Sequence, residues 1–311
     1  MAGRSMRALV ATGDADLVGF AHVPMPTAGQ DEVLVDVRAV SVNRGELHRI
    51  LGAVPGWRPG WDFAGVIGEE AAPGSGPRAG TRVFGIAHGQ SWAEHLAVPV
   101  RQLAVIPNGV SWEQAAALPT AALTALRMLR LAGDLYGRTV LVTGAAGGVG
   151  RFAVQLARAA GAKVTGIVGR PDRAYGLDAL GADDVYVGMS GVTPGFDLIL
   201  ESAGGDSLAQ AFTLVAPGGM IVSFGNSARA TTRFSVSDFY PKQAILRGYF
   251  VLDDLAEDPP SDDLSDLVAR YALGTLRAGI ATVVDWREAE TALRDLCARR
   301  LPGKTVLRVS A

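Results

Sequence analysis

The stretch Thr139 to Arg173, TVLVTGAAGGVGRFAVQLARAAGAKVTGIVGRPDR, decides the fold. Val140 to Val142 is a short apolar run of the kind that forms a buried parallel strand. A glycine loop follows at once, Gly144-Ala145-Ala146-Gly147-Gly148-Val149-Gly150. Phe152, Val154, Gln155, Leu156 and Ala157 then open a helix, which Gly161 can end as a left-handed cap. Lys163 to Val168 supplies a second strand and completes a β-α-β unit. In that setting Gly147 lets the backbone approach a pyrophosphate and Gly150 lets helix pack on strand. The helix N-terminus, from Gly148 and Val149 onward, offers unpaired N–H groups to the anion. Ala145 stands where the dinucleotide fingerprint has its first glycine, so the match is imperfect. The competing reading is a glycine-rich turn in an α/β domain that binds nothing.

The end of the second strand indicates which dinucleotide is expected. Folds that prefer NAD place an acid about 20 residues after the motif, on the ribose 2′-hydroxyl. Here that place falls at Gly169, followed by Arg170 and Arg173. An acid would repel a 2′-phosphate, whereas Gly leaves room for it and Arg binds it through paired hydrogen bonds. The expectation is NADPH; the alternative makes both arginines solvated loop residues.

A chain of 311 residues suggests two domains, and 49% hydrophobic with 19% charged residues is ample for a globular core. The net charge of −2 leaves no basic footprint for nucleic acid. MAGRSMRALV has no apolar leader core, and no charge-free run reaches membrane-spanning length, so a cytoplasmic location is expected. Cys297 is the single cysteine, which excludes intramolecular disulfides and a cysteine-rich zinc site.

Before the crossover the chain reads as short strands broken by Gly and Pro: Met6 to Val10, Asp31 to Val40, Asp62 to Glu69, Thr81 to Ile86, Ser91 to Val98 and Leu103 to Ile106. His22 to Gly29 reads as a loop, Ser41 to Gly52 as a turn leading into a short helix, and Gly74 to Gly80 as a turn. This region resembles a small barrel. Ser111 caps a helical segment interrupted near Pro119. After the crossover, helix is expected over Ala174 to Leu180 and Ser207 to Val215. Strands are expected over Asp184 to Val187, Phe196 to Leu200, Gly219 to Phe224 and Ala244 to Val251. Strands alternating with helices indicate a doubly wound parallel sheet. A solvated loop over Asp253 to Asp263, helices around Leu264 to Ala278 and Trp286 to Arg299, and a strand over Thr305 to Val309 complete the pattern.

Val40 to Asn43, Gly60-Trp61-Asp62-Phe63-Ala64-Gly65, Leu118-Pro119, Ala145 to Gly150 with Gln155, and Gly303-Lys304 together resemble the medium-chain dehydrogenase/reductase superfamily. Within it the chain looks like the zinc-independent quinone oxidoreductase and enoyl reductase branch. The resemblance covers nearly the whole chain. It implies an α/β protein with a GroES-like β-rich catalytic domain over residues 1–117, a Rossmann NADP(H)-binding domain over 118–250, and a return to the first domain over 251–311.

Zinc-dependent relatives carry Cys where this chain has Asn43 and His where it has Trp61. Neither is a useful zinc ligand, and Asp62 alone cannot hold the ion. Without a Lewis acid an isolated ketone is hard to polarise, but a conjugated enone spreads the charge onto an enolate oxygen that hydrogen bonds can stabilise. The resemblance therefore implies metal-free hydride transfer from NADPH to an enone or quinone. A reductive cyclase using the same addition, and a catalytically weak NADPH-binding sensor or structural protein, remain open at this level. The resemblance also implies a homodimer, formed through the edge strand at Ala244 to Val251.

The same resemblance brings Asn43 beside the nicotinamide and Thr124 to the carboxamide, with Gly225, Asn226 and Tyr249 flanking the nicotinamide ribose and ring. Lys304 approaches from the last strand. The alternative makes Asn43 and Asn226 turn formers and Thr124 a helix-face residue. Several relatives carry Tyr where this chain has His48. An imidazole there can protonate the enolate or bond its oxygen; alternatively it lies on the exposed face of a short helix. Trp57 and Trp61 either line an apolar substrate cleft or pack in the core.

Overall fold

The computed structural model describes residues 4–72 and 75–310. Gly74, the first residue of the expected Gly74 to Gly80 turn, lies outside the described residues. So do the first three residues of the N-terminal segment read for a leader.

The chain divides into two units, residues 1–123 with 251–311, and residues 124–250. The first begins with a hairpin, β1 (Ser5–Ala11) and β2 (Val18–Pro24), and continues through β3 (Glu32–Val42) and α1 (Arg44–Ile50). Then come β4 (Asp62–Glu69), β5 (Arg82–Ile86), β6 (His95–Pro99) and β7 (Leu103–Val105), followed by α2 (Trp112–Ala116) and α3 (Pro119–Arg130), which carries the boundary. Ser111 caps α2 by accepting the N–H of Gln114, and Pro119 opens α3, where its missing donor costs nothing.

The second unit runs β8 (Thr139–Thr143), α4 (Gly148–Ala159), β9 (Lys163–Val168), β10 (Asp184–Val187), β11 (Phe196–Glu201), α5 (Gly205–Leu214), β12 (Val215–Ser223) and β13 (Ile245–Gly248). The chain then returns to the first unit with α6 (Val251–Asp254), α7 (Ser261–Ala272), β14 (Ile280–Asp285), α8 (Ala289–Cys297) and β15 (Lys304–Arg308).

In the first unit a sheet orders its strands β14-β15-β3-β4-β5-β7, with β6 also on β3. The long strand β3 takes β15 antiparallel, with Thr305 opposite Val42 and Leu307 opposite Val40. Phe63, Phe84, Trp92 and Trp286 are fully buried in this unit. Burial of such side chains contributes roughly 2–3 kcal/mol each. In the second unit a parallel sheet orders β10-β9-β8-β11-β12-β13. The order reverses between β8 and β11, so the ligand crevice of a doubly wound fold opens at the carboxyl ends of these two strands.

Several expectations need correction. His22, Val23 and Pro24 are not loop but the end of β2, paired with Arg7, Met6 and Ser5; proline is tolerated at such an edge. Ala174 to Leu180 is a chain of turns rather than a helix, because Gly176 (φ +76°) and Gly181 (φ +107°) leave the helical region. The strand expected over Ala244 to Val251 is four residues long, and α6 starts at Val251. The Asp253 to Asp263 run is partly helical, with Asp253 and Asp254 in the first turn of α6 and Asp262 and Asp263 in that of α7, where the helix dipole favours acids. β14, unanticipated, pairs with β15 in parallel.

Candidate active site

In the first unit the site forms where β3 ends, β4 begins and β15 runs alongside. Asp62 opens β4 with its carboxylate fully buried. Its Oδ1 accepts the Thr120 N–H (2.8 Å) and hydroxyl (2.5 Å) from the start of α3. Its Oδ2 accepts the Ser41 hydroxyl, the Asn43 Nδ2 (2.8 Å) and the Lys304 Nζ (3.2 Å). Lys304, 3% exposed, also donates to Asn43 Oδ1 at 2.6 Å. Asn43, Asp62 and Lys304 thus close a triangle of hydrogen bonds. A buried ion pair is tolerable only when its remaining lone pairs and protons are satisfied, and Ser41 and Thr120 provide for Asp62.

Asn43 is also the N-cap of α1, and its backbone N–H donates to Glu46 Oε2 (2.6 Å). The other Glu46 oxygen accepts the Trp61 N–H (2.6 Å). Glu46 thereby ties the start of α1 to the start of β4. Burial, and after it the Asp62 charge, push its carboxyl up to about 8. The two backbone donors and Lys304 oppose that rise without cancelling it. Trp61 is 3% exposed, with the Arg49 guanidinium 5.4 Å from its ring centroid. Its indole therefore lies within the unit, while Trp57 is half-buried against the core of the same lobe. His48 is exposed and makes no hydrogen bond or ion pair among the described residues.

The donor set around Asn43 does not fit zinc. It consists of one carboxylate, an amide, two hydroxyls and an ammonium, with Trp61 beside it; an ammonium cannot ligate and repels a cation. Among the described residues no cluster of three His, Cys, Asp or Glu side chains is placed to hold a metal.

In the second unit the glycine loop follows β8 at the switch point. Gly147 is the N-cap of α4, and a Cβ there would stand 3.0 Å from Gly144 O. A Cβ on Gly150 would stand 2.7 Å from Ala145 Cα, so α4 approaches the loop as closely as only glycine permits. Ala145 is fully buried beneath this contact, whereas Gly148 and Val149 are half-exposed at the helix start. Free N–H groups and a glycine cradle fit a dinucleotide pyrophosphate.

At the end of β9 a Cβ on Gly169 would meet nothing within 4 Å. Arg170 forms a two-bond fork with Asp172 (both 3.1 Å), which holds that carboxyl below its usual range. The Arg173 side chain is 13% exposed. Sequence reading missed Arg151, directly after Gly150. Its Nε is buried with no hydrogen-bond partner among the described residues, and burial together with the Arg173 charge lowers the pKa of its guanidinium.

Across the switch point Ser202 N–H donates to Thr143 Oγ1 (2.8 Å), joining the ends of β8 and β11. Glu201, also missed and fully buried, accepts from Ala203 N, Gly204 N and the Ser207 hydroxyl at 2.8–2.9 Å. It fixes the turn into α5. A Cβ on Gly225 would stand 2.9 Å from Ser202 O, and Asn226 packs on Gly204, so this exposed turn is seated on the β11 loop. Tyr249 N–H donates to Ser223 O (2.9 Å) just beyond β13, and Thr124 is buried on α3.

The arrangement is that of a nicotinamide-type oxidoreductase, a GroES-like lobe combined with a Rossmann-like parallel sheet. Family models match both parts: the alcohol dehydrogenase GroES-like domain over residues 29–116 and the zinc-binding dehydrogenase domain over 148–270. The chain belongs to the medium-chain dehydrogenase/reductase family.

Erythronolide synthase EryA2 of Saccharopolyspora erythraea is 34% identical over 318 residues, covering 95% of this chain and 8% of that protein. The spectinabilin polyketide synthase system protein NorB of Streptomyces orinoci is 34% identical over 292 residues, covering 89% and 13%. The chain thus spans only a small fraction of these curated relatives. The quinone oxidoreductase from Coxiella burnetii superposes with a TM-score of 0.86 at 25% identity, over 99% of this chain and 100% of that one. The CurK enoyl reductase shares the fold, with a TM-score of 0.85 at 23% identity over 98% and 99%. Among the described residues no helix is long and apolar enough to cross a membrane.

Proposed function

We propose that this chain is an NADPH-dependent reductase of a conjugated carbonyl, an enone or a quinone, that works without a metal. The observation carrying this reading is the Asn43–Asp62–Lys304 triangle, which fixes the Asn43 carboxamide as a hydrogen-bond donor at a position where zinc-dependent relatives keep a ligand. Such donors suit an oxygen that gains charge by conjugation better than an unassisted alkoxide. The likeness to a quinone oxidoreductase supports the same reading.

Bound NADPH supplies the hydride. Gly147, Gly148 and Val149 hold the pyrophosphate, and Gly169 with Arg151 and Arg173 accommodates the 2′-phosphate. Thr124, Gly225, Asn226 and Tyr249 form the nicotinamide end of the site. Asn43 presents the donor to the substrate oxygen. His48, facing solvent, passes a proton from water to the product carbon. Trp57 borders the substrate, and two copies associate along β13, whose Ile245 and Leu246 are 49% and 43% exposed.

NADPH consumption with a panel of quinones and enones, run with and without a chelator beside an NADPH binding titration, tests the reading. Turnover of a conjugated carbonyl unaffected by the chelator is expected. NADPH binding without turnover of any acceptor, or chelator inhibition reversed by zinc, overturns it.

A further inference from the structure

The carboxamide of Asn43 has only one possible orientation. Lysine has no acceptor, so the atom 2.6 Å from Lys304 Nζ must be the amide oxygen. A carboxylate has no donor, so the atom 2.8 Å from Asp62 Oδ2 must be the amide nitrogen. One N–H is thereby held by Asp62, and the other has no partner among the described residues. Asp62, Ser41, Lys304 and Thr120 are 0%, 0%, 3% and 6% exposed, whereas Asn43 is half-exposed. Asn43 is where this otherwise buried network reaches solvent.

A cation bonded to an amide oxygen draws electron density from the nitrogen, and hydrogen bonds in such a chain strengthen one another in a low-dielectric interior. We propose that Lys304 acts through Asn43, polarising its carboxamide so that the free N–H becomes the donor stabilising the carbonyl oxygen of the substrate. This rests on the reductase reading above. The hydride pair forms the new bond at the β-carbon, the alkene pair moves to the neighbouring C–C bond, and the carbonyl pair moves onto oxygen. The resulting enolate oxygen accepts the Asn43 N–H until a proton adds at the α-carbon. Lys304 is in this account a positioning residue: it touches neither substrate nor cofactor, and its charge is conveyed outward by one side chain.

The test uses the full chain with selectively labelled asparagine side chains; with only Asn43, Asn108 and Asn226 present, the amide pairs can be assigned by substitution. Lys304→Met should move the Asn43 amide resonances and leave those of Asn108 and Asn226 in place. It should lower kcat by roughly 10²-fold, in the range of a lost oxyanion donor, with NADPH affinity unchanged within about twofold. Lys304→Arg should restore part of kcat. In Asn43→Ala, adding Lys304→Met should produce no further loss, because the second residue acts through the first. If Lys304→Met does not fold, Lys304→Gln, which keeps an uncharged polar side chain beside Asn43 and Asp62, serves the same measurements. Multiplying losses in the double variant, or weakened NADPH binding in the Asn43→Ala background, would show that Lys304 contacts the cofactor and overturn the proposal. Unchanged Asn43 resonances in Lys304→Met overturn it independently of turnover. Failure of the reductase reading would appear separately, as an unmodified chain that turns over no conjugated carbonyl.

Discussion

The indole of Trp61 lies against Gly45 on the first turn of α1, so closely that a Cβ on Gly45 would stand 2.9 Å from Cζ3 and overlap Cη2. Trp61 is locked by its backbone bond to Glu46 and the Arg49 guanidinium over its ring, so it cannot swing aside. Gly45→Ala is therefore expected to destabilise the unit by about 1–3 kcal/mol, the usual cost of overpacking, although alanine is the better helix former. Urea unfolding would check this; a gain in stability would mean that the indole yields.

Cofactor choice should follow charge at the end of β9. Gly169→Asp places a carboxylate in open space at the end of β9 and should favour NADH. Arg151→Ala and Arg173→Ala should each weaken NADPH binding by about 10–100-fold, as expected for loss of a charge-assisted phosphate contact, with NADH binding nearly unchanged. Parallel titrations with both cofactors decide it. Equal losses for the two would remove these arginines from the 2′-phosphate.

Glu46 should make stability depend on pH. Its folded pKa of about 8 lies above the unfolded value of 4.5, so between these values the native state binds the extra proton. Stability then falls as pH rises through this window, by at most about 1.4 kcal/mol per pH unit. Glu46→Gln costs about 1 kcal/mol at any pH, because an amide nitrogen faces a backbone N–H, but should flatten the slope. Urea midpoints at pH 6, 7 and 8 for both proteins provide the comparison; identical slopes would contradict a raised Glu46.

β13 is an edge strand whose four residues are all exposed. Leu246→Glu should convert a dimer into a monomer while leaving NADPH binding intact, as read by light scattering at micromolar concentration. A monomeric unmodified chain would remove the interface from the proposal.

His48→Ala should lower kcat by no more than about tenfold, because an exposed imidazole shares its task with water. Added imidazole should recover part of the loss. A hundredfold loss that imidazole does not rescue would mean that His48 holds the substrate.

What could be read from sequence was local. The crossover at Thr139 to Val168 is contiguous, and its strand, glycine loop and helix each carry their own period or backbone requirement. The triangle at Asn43 was beyond such reading, because Lys304 and Asp62 are 242 positions apart and meet only through the pairing of β15 with β3. Lys304 was expected to approach from the last strand, and its bonds run to Asn43 and Asp62. β14 escaped notice because all six of its residues are half-buried, leaving no alternation to detect. Arg151 looks from sequence like any helix-surface arginine. Its orphaned Nε becomes visible only once Arg173 is folded near it.

The pairing of β15 with β3 also has a consequence for how the chain emerges from the ribosome. The parallel sheet is complete once residue 250 has been made, whereas the first lobe must wait for its last strand. Until then Asp62 has no lysine, and β3 presents an open edge to other nascent chains. Vectorial synthesis would thus build the parallel-sheet unit early and leave the first unit as the step most exposed to misassembly and most dependent on chaperones.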